Sequence, residues 1–183
     1  MIENPLDQKK RRTLNLGELI ISDNSDEEVI WTVLGSCVSV IFHVPGQFSL
    51  ICHSQLPDEM DRGLDCAGEC PNPCFRQIDA SLSSKYVKCS LEYMINHLRK
   101  HKVPFGALKT TIVGGANLMN FSIGQKSIGQ KNIEMALSIF ENHAIAVNRQ
   151  YLGGNRGCSL WYFPPSNRLI IKNNNDNEKF ELD

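Results

Sequence analysis

Apolar residues recur along this chain at two spacings, and the switches between them mark out its elements. The runs at 29–33 and 38–43 are rich in β-branched residues and read as strands. In the second, Val38, Val40 and Phe42 share one face, and Ser39, Ile41 and His43 share the other. The turn signal Pro45-Gly46-Gln47 predicts a hairpin to a further strand at 48–53. From 84 to 100 the period becomes helical. Val87, Leu91, Met94, Ile95 and Leu98 fall on one face, with Lys88, Glu92, Asn96 and Arg99 opposite. A strand at 107–113 runs into Gly114-Gly115. Ser127, with Gln130 three residues later, forms a capping box for a second helix through 141 that buries Ile133, Ala136, Leu137 and Phe140. A strand at 144–149 and a tight glycine loop at 153–157 follow. A closing hairpin of 158–163 and 168–171 turns around Pro164-Pro165-Ser166-Asn167.

Strands dominate, two helices interrupt them, and the order does not alternate cleanly. This predicts an α/β (α+β) layered sandwich of packed mixed β-sheets flanked by two main helices, not a doubly wound sheet. The stretch 57–84 carries Gly63, Gly68, Pro71 and Pro73 and reads as an irregular functional loop or flap. Residues 1–13 and 173–183 have little to bury and read as mobile termini around a single domain at 14–172. The local repeat at 122–126 and 127–131 is too short to define a repeat architecture.

A length of 183 residues suits one domain that buries roughly two thirds of its extended surface. A net charge of -1 provides no general field for nucleic acid or anionic lipid. The cluster Lys9-Lys10-Arg11-Arg12 is followed by acidic Asp23, Asp26, Glu27 and Glu28, and reads as solvated surface. No apolar window is long enough to span a bilayer, and the first residues lack the pattern of a signal peptide. The expectation is therefore a cytoplasmic protein, not membrane-embedded, with reduced cysteines. An odd count of seven cysteines agrees with that.

Among those cysteines, Cys37 stands out. It follows Leu34-Gly35-Ser36 at the hinge between two apolar runs, where Gly35 allows a tight turn that lifts the sulfur out of the sheet. If 48–53 pairs antiparallel with 38–43, His53 lands close to Cys37 and Val38, within the reach a Cys–His pair needs. Amides around Ser36 and Cys37 could donate to a developing oxyanion. The chemistry is acyl transfer, with attack on an amide or ester carbonyl followed by hydrolysis of a thioester. Cys52 and Cys89 read as buried hydrophobes. His43 reads as structural, and His97, His101 and His143 as surface or edge residues. Cys66, Cys70 and Cys74 are spaced C-x3-C-x3-C, which matches neither the common zinc nor iron–sulfur patterns. Gly114-Gly115-Ala116-Asn117 and Gly153-Gly154-Asn155-Arg156-Gly157 lack the residues of a phosphate loop. No cofactor or metal is expected.

Six ordered motifs converge on one family. They are Leu34-Gly35-Ser36-Cys37-Val38-Ser39-Val40, His53 with Leu56-Pro57, Lys85-Tyr86-Val87, Gly114-Gly115-Ala116-Asn117-Leu118-Met119, Ile128-Gly129-Gln130-Lys131-Asn132-Ile133-Glu134 and Leu152-Gly153-Gly154-Asn155-Arg156-Gly157. Over about residues 14–172 the chain resembles the CheD chemoreceptor glutamine deamidases. The resemblance implies that Cys37 is the nucleophile and His53 the general base and acid. It also implies a threonine six residues before the nucleophile that orients the histidine. That position is Trp31 here, with Thr32 next to it. Either a local shift brings Thr32 in, or another group orients His53, or activity is weakened. The implied reaction converts glutamine side chains to glutamate on the cytoplasmic helices of methyl-accepting receptors, with methyl-ester hydrolysis in some members. The implied partners are those receptors and a CheC-type phosphatase. A non-catalytic adaptor of the same fold and a cysteine hydrolase acting on another protein are the alternatives.

Overall fold

The computed structural model describes residues 10–24, 28–58, 76–78, 81–83, 85–118, 126–173 and 179–182. Two mixed sheets pack face to face. The five-stranded sheet has the order β1-β3-β10-β11-β12, formed by β1 (Arg11–Thr13), β3 (Val29–Leu34), β10 (Cys158–Phe163), β11 (Arg168–Asn173) and β12 (Lys179–Leu182). The seven-stranded sheet has the order β6-β7-β2-β5-β4-β8-β9. Its members are β2 (Glu18–Ser22), β4 (Val38–Val44), β5 (Phe48–Ser54), β6 (Arg76–Ile78), β7 (Ser81–Ser83), β8 (Lys109–Gly114) and β9 (Arg149–Leu152). Helices α1 (Val87–Lys100) and α2 (Ile128–Asn142) cover the outer face of the larger sheet. The predicted layered sandwich is what forms.

Alternation along β4 explains the layering. Val38, Val40 and Phe42 pack towards the helices, against Leu91, Met94, Ile95, Leu98, Ala136 and Phe140. Ile41, with Ile51 of β5 and Val113 of β8, packs instead against Ile30, Leu34, Leu160 and Leu169 of the other sheet. All seven residues of β4 are consequently buried. An apolar side chain withdrawn from water at such a position contributes about 2 kcal/mol, and both faces of this strand collect that gain. Cys52 and Cys89 are buried as expected, and the described cysteines (Cys37, Cys52, Cys89 and Cys158) are all free thiols.

Several boundaries differ from the sequence expectation. Helix α1 starts at Val87 because the carbonyls of Leu56 and Pro57 accept its first amides, at 2.8 and 3.0 Å, in place of a side-chain cap. The apolar stripe of α2 runs through Gly129, Asn132, Ala136, Ile139 and Phe140, so Leu137 falls off it and is exposed. Ser127 does cap that helix, its hydroxyl accepting from Gln130 N at 3.1 Å. The strand expected at 144–149 is displaced to β9, since Ala144 adopts a left-handed φ of 52° after α2 and parallel pairing with β8 begins only at Arg149. Strand β2 has no counterpart in the expectation. Strands β6 and β7 form inside the stretch read as irregular. The expected ends contribute β1, parallel to β3, and β12, antiparallel to β11, because each finds an open sheet edge. Cys66, Cys70 and Cys74 lie outside the described residues.

His43 is structural, as expected, and anchors a polar knot between the sheets. Its Nδ1 lies 3.0 Å from Ser49 Oγ and 3.2 Å from Tyr162 OH, and Ser49 Oγ donates to Asn24 Oδ1 at 2.7 Å. Burial, followed by the nearby Arg149 guanidinium, pushes the His43 pKa down to about 4. The unfolded chain therefore takes up a proton near pH 6.5 that the folded protein refuses until about 4. Stability from this group is complete above pH 6.5 and is lost as pH falls towards 4, by up to about 3 kcal/mol. Thermal melts between pH 7 and 4 should show that slope, and His43→Gln should flatten it.

Candidate active site

Strand β3 and strand β4 belong to different sheets, so Gly35-Ser36-Cys37 is the corner where the chain crosses from one to the other. The sulfur-bearing residue at that corner is half-buried and packs against the intersheet cluster. The loop after β8 holds the corner, with Gly115 N donating to Cys37 O at 2.7 Å and Ala116 N donating to Gly35 O at 2.9 Å. This contact is backbone on backbone. A Cβ on Gly114, whose φ is 110°, would lie 2.3 Å from Cys37 O. The conformational demand for glycine therefore falls on Gly114 and Gly115. Gly35, expected to supply the turn's freedom, lacks a left-handed φ, and a Cβ there would meet only the Leu118 side chain, at 2.7 Å.

The β4–β5 hairpin sets Val38 opposite Ser54 and Ser39 opposite His53. His53 is thus one residue short of the expected position. Pleat alternation places it on the intersheet face, the layer against which Cys37 also packs, and no hydrogen bond joins its Nε2 to the Cys37 sulfur. Alternation in β3 sends Ile30, Thr32 and Leu34 inward and leaves Trp31 outside, beneath the Arg11 guanidinium at 4.9 Å from the ring centre. Thr32 Oγ1 lies 2.8 Å from His53 Nδ1 and donates to Leu14 O at 2.8 Å. The structure brings Thr32 and His53 into contact and puts Cys37 in the same layer at the same end of the sheets.

The hydroxyl of Thr32 has one proton, and the Leu14 carbonyl takes it. His53 Nδ1 must then be the donor to Thr32, so neutral His53 carries its proton on Nδ1 and a lone pair on Nε2. Among the described residues Nε2 has no hydrogen-bond partner, and neither does Ser39 Oγ directly across the ladder. Burial lowers the His53 pKa, opposed by the Leu14 carbonyl. Burial likewise raises the Cys37 pKa, opposed by its own backbone amide. Both shifts favour a neutral thiol beside a neutral imidazole at rest.

A residue that the sequence reading gave no role, Asn132 of α2, reaches this corner and donates through Nδ2 to Ser36 O at 2.9 Å and to Gln55 O at 3.0 Å. The signal for it was available as a polar residue on the buried stripe of an amphipathic helix. Next to Ser36 a cavity of about 140 Å³ opens between Ala116-Asn117-Leu118 and Ser127-Ile128-Gly129. Among the described residues no group of three or more His, Cys, Asp or Glu side chains is placed to hold a metal ion. Nitrogen-15 NMR of the ring should find His53 as the Nδ1–H tautomer from pH 7 to 8. A dominant Nε2–H form would contradict the Thr32–His53 assignment.

The family model for CheD, chemotactic sensory transduction, matches residues 71–173, more than half of the chain. A probable chemoreceptor glutamine deamidase CheD 2 of Geobacter sulfurreducens is 25% identical over 151 residues, covering 82% of this chain and 82% of that protein. One of Nitratidesulfovibrio vulgaris is 29% identical, covering 87% and 75% respectively. One of Vibrio cholerae, strain M66-2, is 30% identical, covering 81% of this chain and 60% of the relative. With the layered fold and the motif order described above, the chain belongs to the CheD family.

Proposed function

We propose that this protein is a protein-glutamine deamidase acting on the side-chain amides of methyl-accepting chemoreceptors, with Cys37 as nucleophile, His53 as general base and acid, and Thr32 as the residue that orients His53. The observation that carries this reading is the fork at Thr32, which fixes the His53 proton on Nδ1 and leaves Nε2 free at the end of the sheets where Cys37 sits. Trp31, which stands where the family resemblance implies the orienting threonine, points away from this layer.

Attack by Cys37 Sγ on the glutamine carbonyl carbon proceeds as its proton passes to His53 Nε2. The carbonyl oxygen becomes an oxyanion facing the Cys37 amide. Collapse of the adduct breaks the C–N bond, the imidazolium protonates the leaving nitrogen, and ammonia departs. Water, deprotonated by His53, then cleaves the thioester to release glutamate and the thiol. An ester carbonyl can follow the same route, so methyl-ester hydrolysis is included in the proposal. Each conversion adds a negative charge to a receptor helix, where like-charge repulsion alters packing with neighbouring helices.

No helix among the described residues is long and apolar enough to cross a membrane. The proposal places the protein in the cytoplasm, facing the receptors' signalling helices, with a CheC-type phosphatase as a second partner. Exposed Leu118, which borders the cavity beside Ser36, offers such partners an apolar contact.

Intact-mass measurement tests the reaction. A receptor cytoplasmic fragment should gain about 1 Da per converted glutamine, and Cys37→Ala and His53→Ala should abolish the gain. Thr32→Val should slow it roughly tenfold or more, and Trp31→Phe should change it little. A fragment that binds but keeps its mass would leave the adaptor reading in place. Because the His53 pKa is lowered from 6.5, kcat/KM should fall on the acid side only below pH 6.5. An acid limb centred above that value would contradict His53 as the base.

A further inference from the structure

Asn132 is wholly buried, and among the described residues it is the only carboxamide side chain in the buried set. Its Nδ2 satisfies two carbonyls from separate segments. One belongs to Ser36, immediately before Cys37, and the other to Gln55, two residues beyond His53. Its Oδ1 is buried with no hydrogen-bond partner among the described residues. An unpartnered buried acceptor is unfavourable, so packing alone would be better served by leucine. The donor end is what this position needs.

The described peptide bonds are all trans, and in a planar trans peptide the carbonyl and the following amide point in opposite directions. Holding the Ser36 carbonyl towards α2 therefore aims the Cys37 N–H away from the helix. That amide belongs to the residue that carries the sulfur, and it opposes the effect of burial on the Cys37 thiol. The helix has little freedom to drift. A Cβ on Gly129 would stand 2.4 Å from Gly115 O and 2.6 Å from Ala116 O, in the loop whose amides hold Cys37 O and Gly35 O. Asn132 lies three residues further along the same face of that closely seated helix.

We infer that Asn132 is a positioning residue for deamidation. It turns the Ser36–Cys37 peptide so that the Cys37 amide meets the oxyanion formed when the sulfur attacks, and it ties the end of β5, with His53, to the same corner. The inference rests on the deamidase reading for its reaction, but not for the peptide geometry it asserts.

The test uses Asn132→Ala and Asn132→Leu, the second preserving bulk without the donor. Three properties are followed: kcat and KM on the receptor fragment, the pH dependence of iodoacetamide alkylation at Cys37 read from its peptide by mass spectrometry, and the thermal melt. The expected result is a kcat roughly tenfold to hundredfold lower with KM within about twofold. The Cys37 alkylation profile should move to higher pH, with a cooperative melt retained. A purely structural residue would lower the melting temperature and leave the alkylation profile of the folded protein in place. Wild-type kcat and alkylation in either folded variant would overturn the inference. So would an effect on KM alone, or loss of the cooperative melt in both variants. Failure of the wild-type protein to deamidate would overturn the deamidase reading, while the alkylation profile still decides on Asn132.

Discussion

A single hydroxyl proton organises this site. Thr32 Oγ1 sits between an acceptor that can never donate, the Leu14 carbonyl, and a ring nitrogen that can do either. Because the carbonyl claims the proton, the ring must supply its own on Nδ1, and the remaining nitrogen is left as a base. Two sheets must hold their spacing for this to work, since Thr32 belongs to β3 in one and His53 to β5 in the other. The packed layer of Ile30, Leu34, Ile41, Ile51, Val113 and Leu160 maintains that spacing. Core packing and proton placement are thus one problem here.

The corner at 35–37 meets the same constraint from the other side. A chain changing sheets gives up ladder hydrogen bonds, and its exposed carbonyls need partners. Gly115 and Ala116 amides satisfy Cys37 and Gly35, and the Asn132 side chain satisfies Ser36. Three successive carbonyls are held from the same flank, formed by the loop after β8 and the first turns of α2. Close approach of Gly114, Gly115 and Gly129 makes this possible: a Cβ would strike backbone at Gly114 and Gly129, and the Ile133 side chain at Gly115. The half-buried Cys37 is thereby presented on a rigid support and not on a free loop.

Burial has opposite effects on the proposed pair and still leaves it poised. It raises the thiol and lowers the imidazole, so neither is charged before a substrate arrives. In the proposed reaction, proton transfer from sulfur to nitrogen accompanies attack, so that the ion pair forms only with the oxyanion. His43, at the other end of β4, shows burial without that role. Its Nδ1 is engaged by Ser49 and Tyr162, as that of His53 is by Thr32. Both rings have Nδ1 engaged, and what separates them is position: His53 lies at the end of β4 and β5 next to the 35–37 corner, His43 at the far end.

Much of this was legible in the linear pattern. The boundaries of β3, β4, β5, β10 and the capped start of α2 follow from local alternation, turn residues and a capping box, all interactions between near neighbours. The hairpin that carries His53 was readable because a two-strand hairpin is itself local, and the register differed by only one residue. Strands β1, β6, β7 and β12 were not legible, because short segments without a strong pattern become strands only when a sheet edge is offered to them. The choice between Trp31 and Thr32 was likewise open in the sequence. Which of the two meets His53 depends on the face of β3 that turns inward against a partner sheet remote in the chain. Asn132 completes the same division: its helical phase was readable, but the two carbonyls it serves come from segments 77 and 96 residues away, brought together by packing alone.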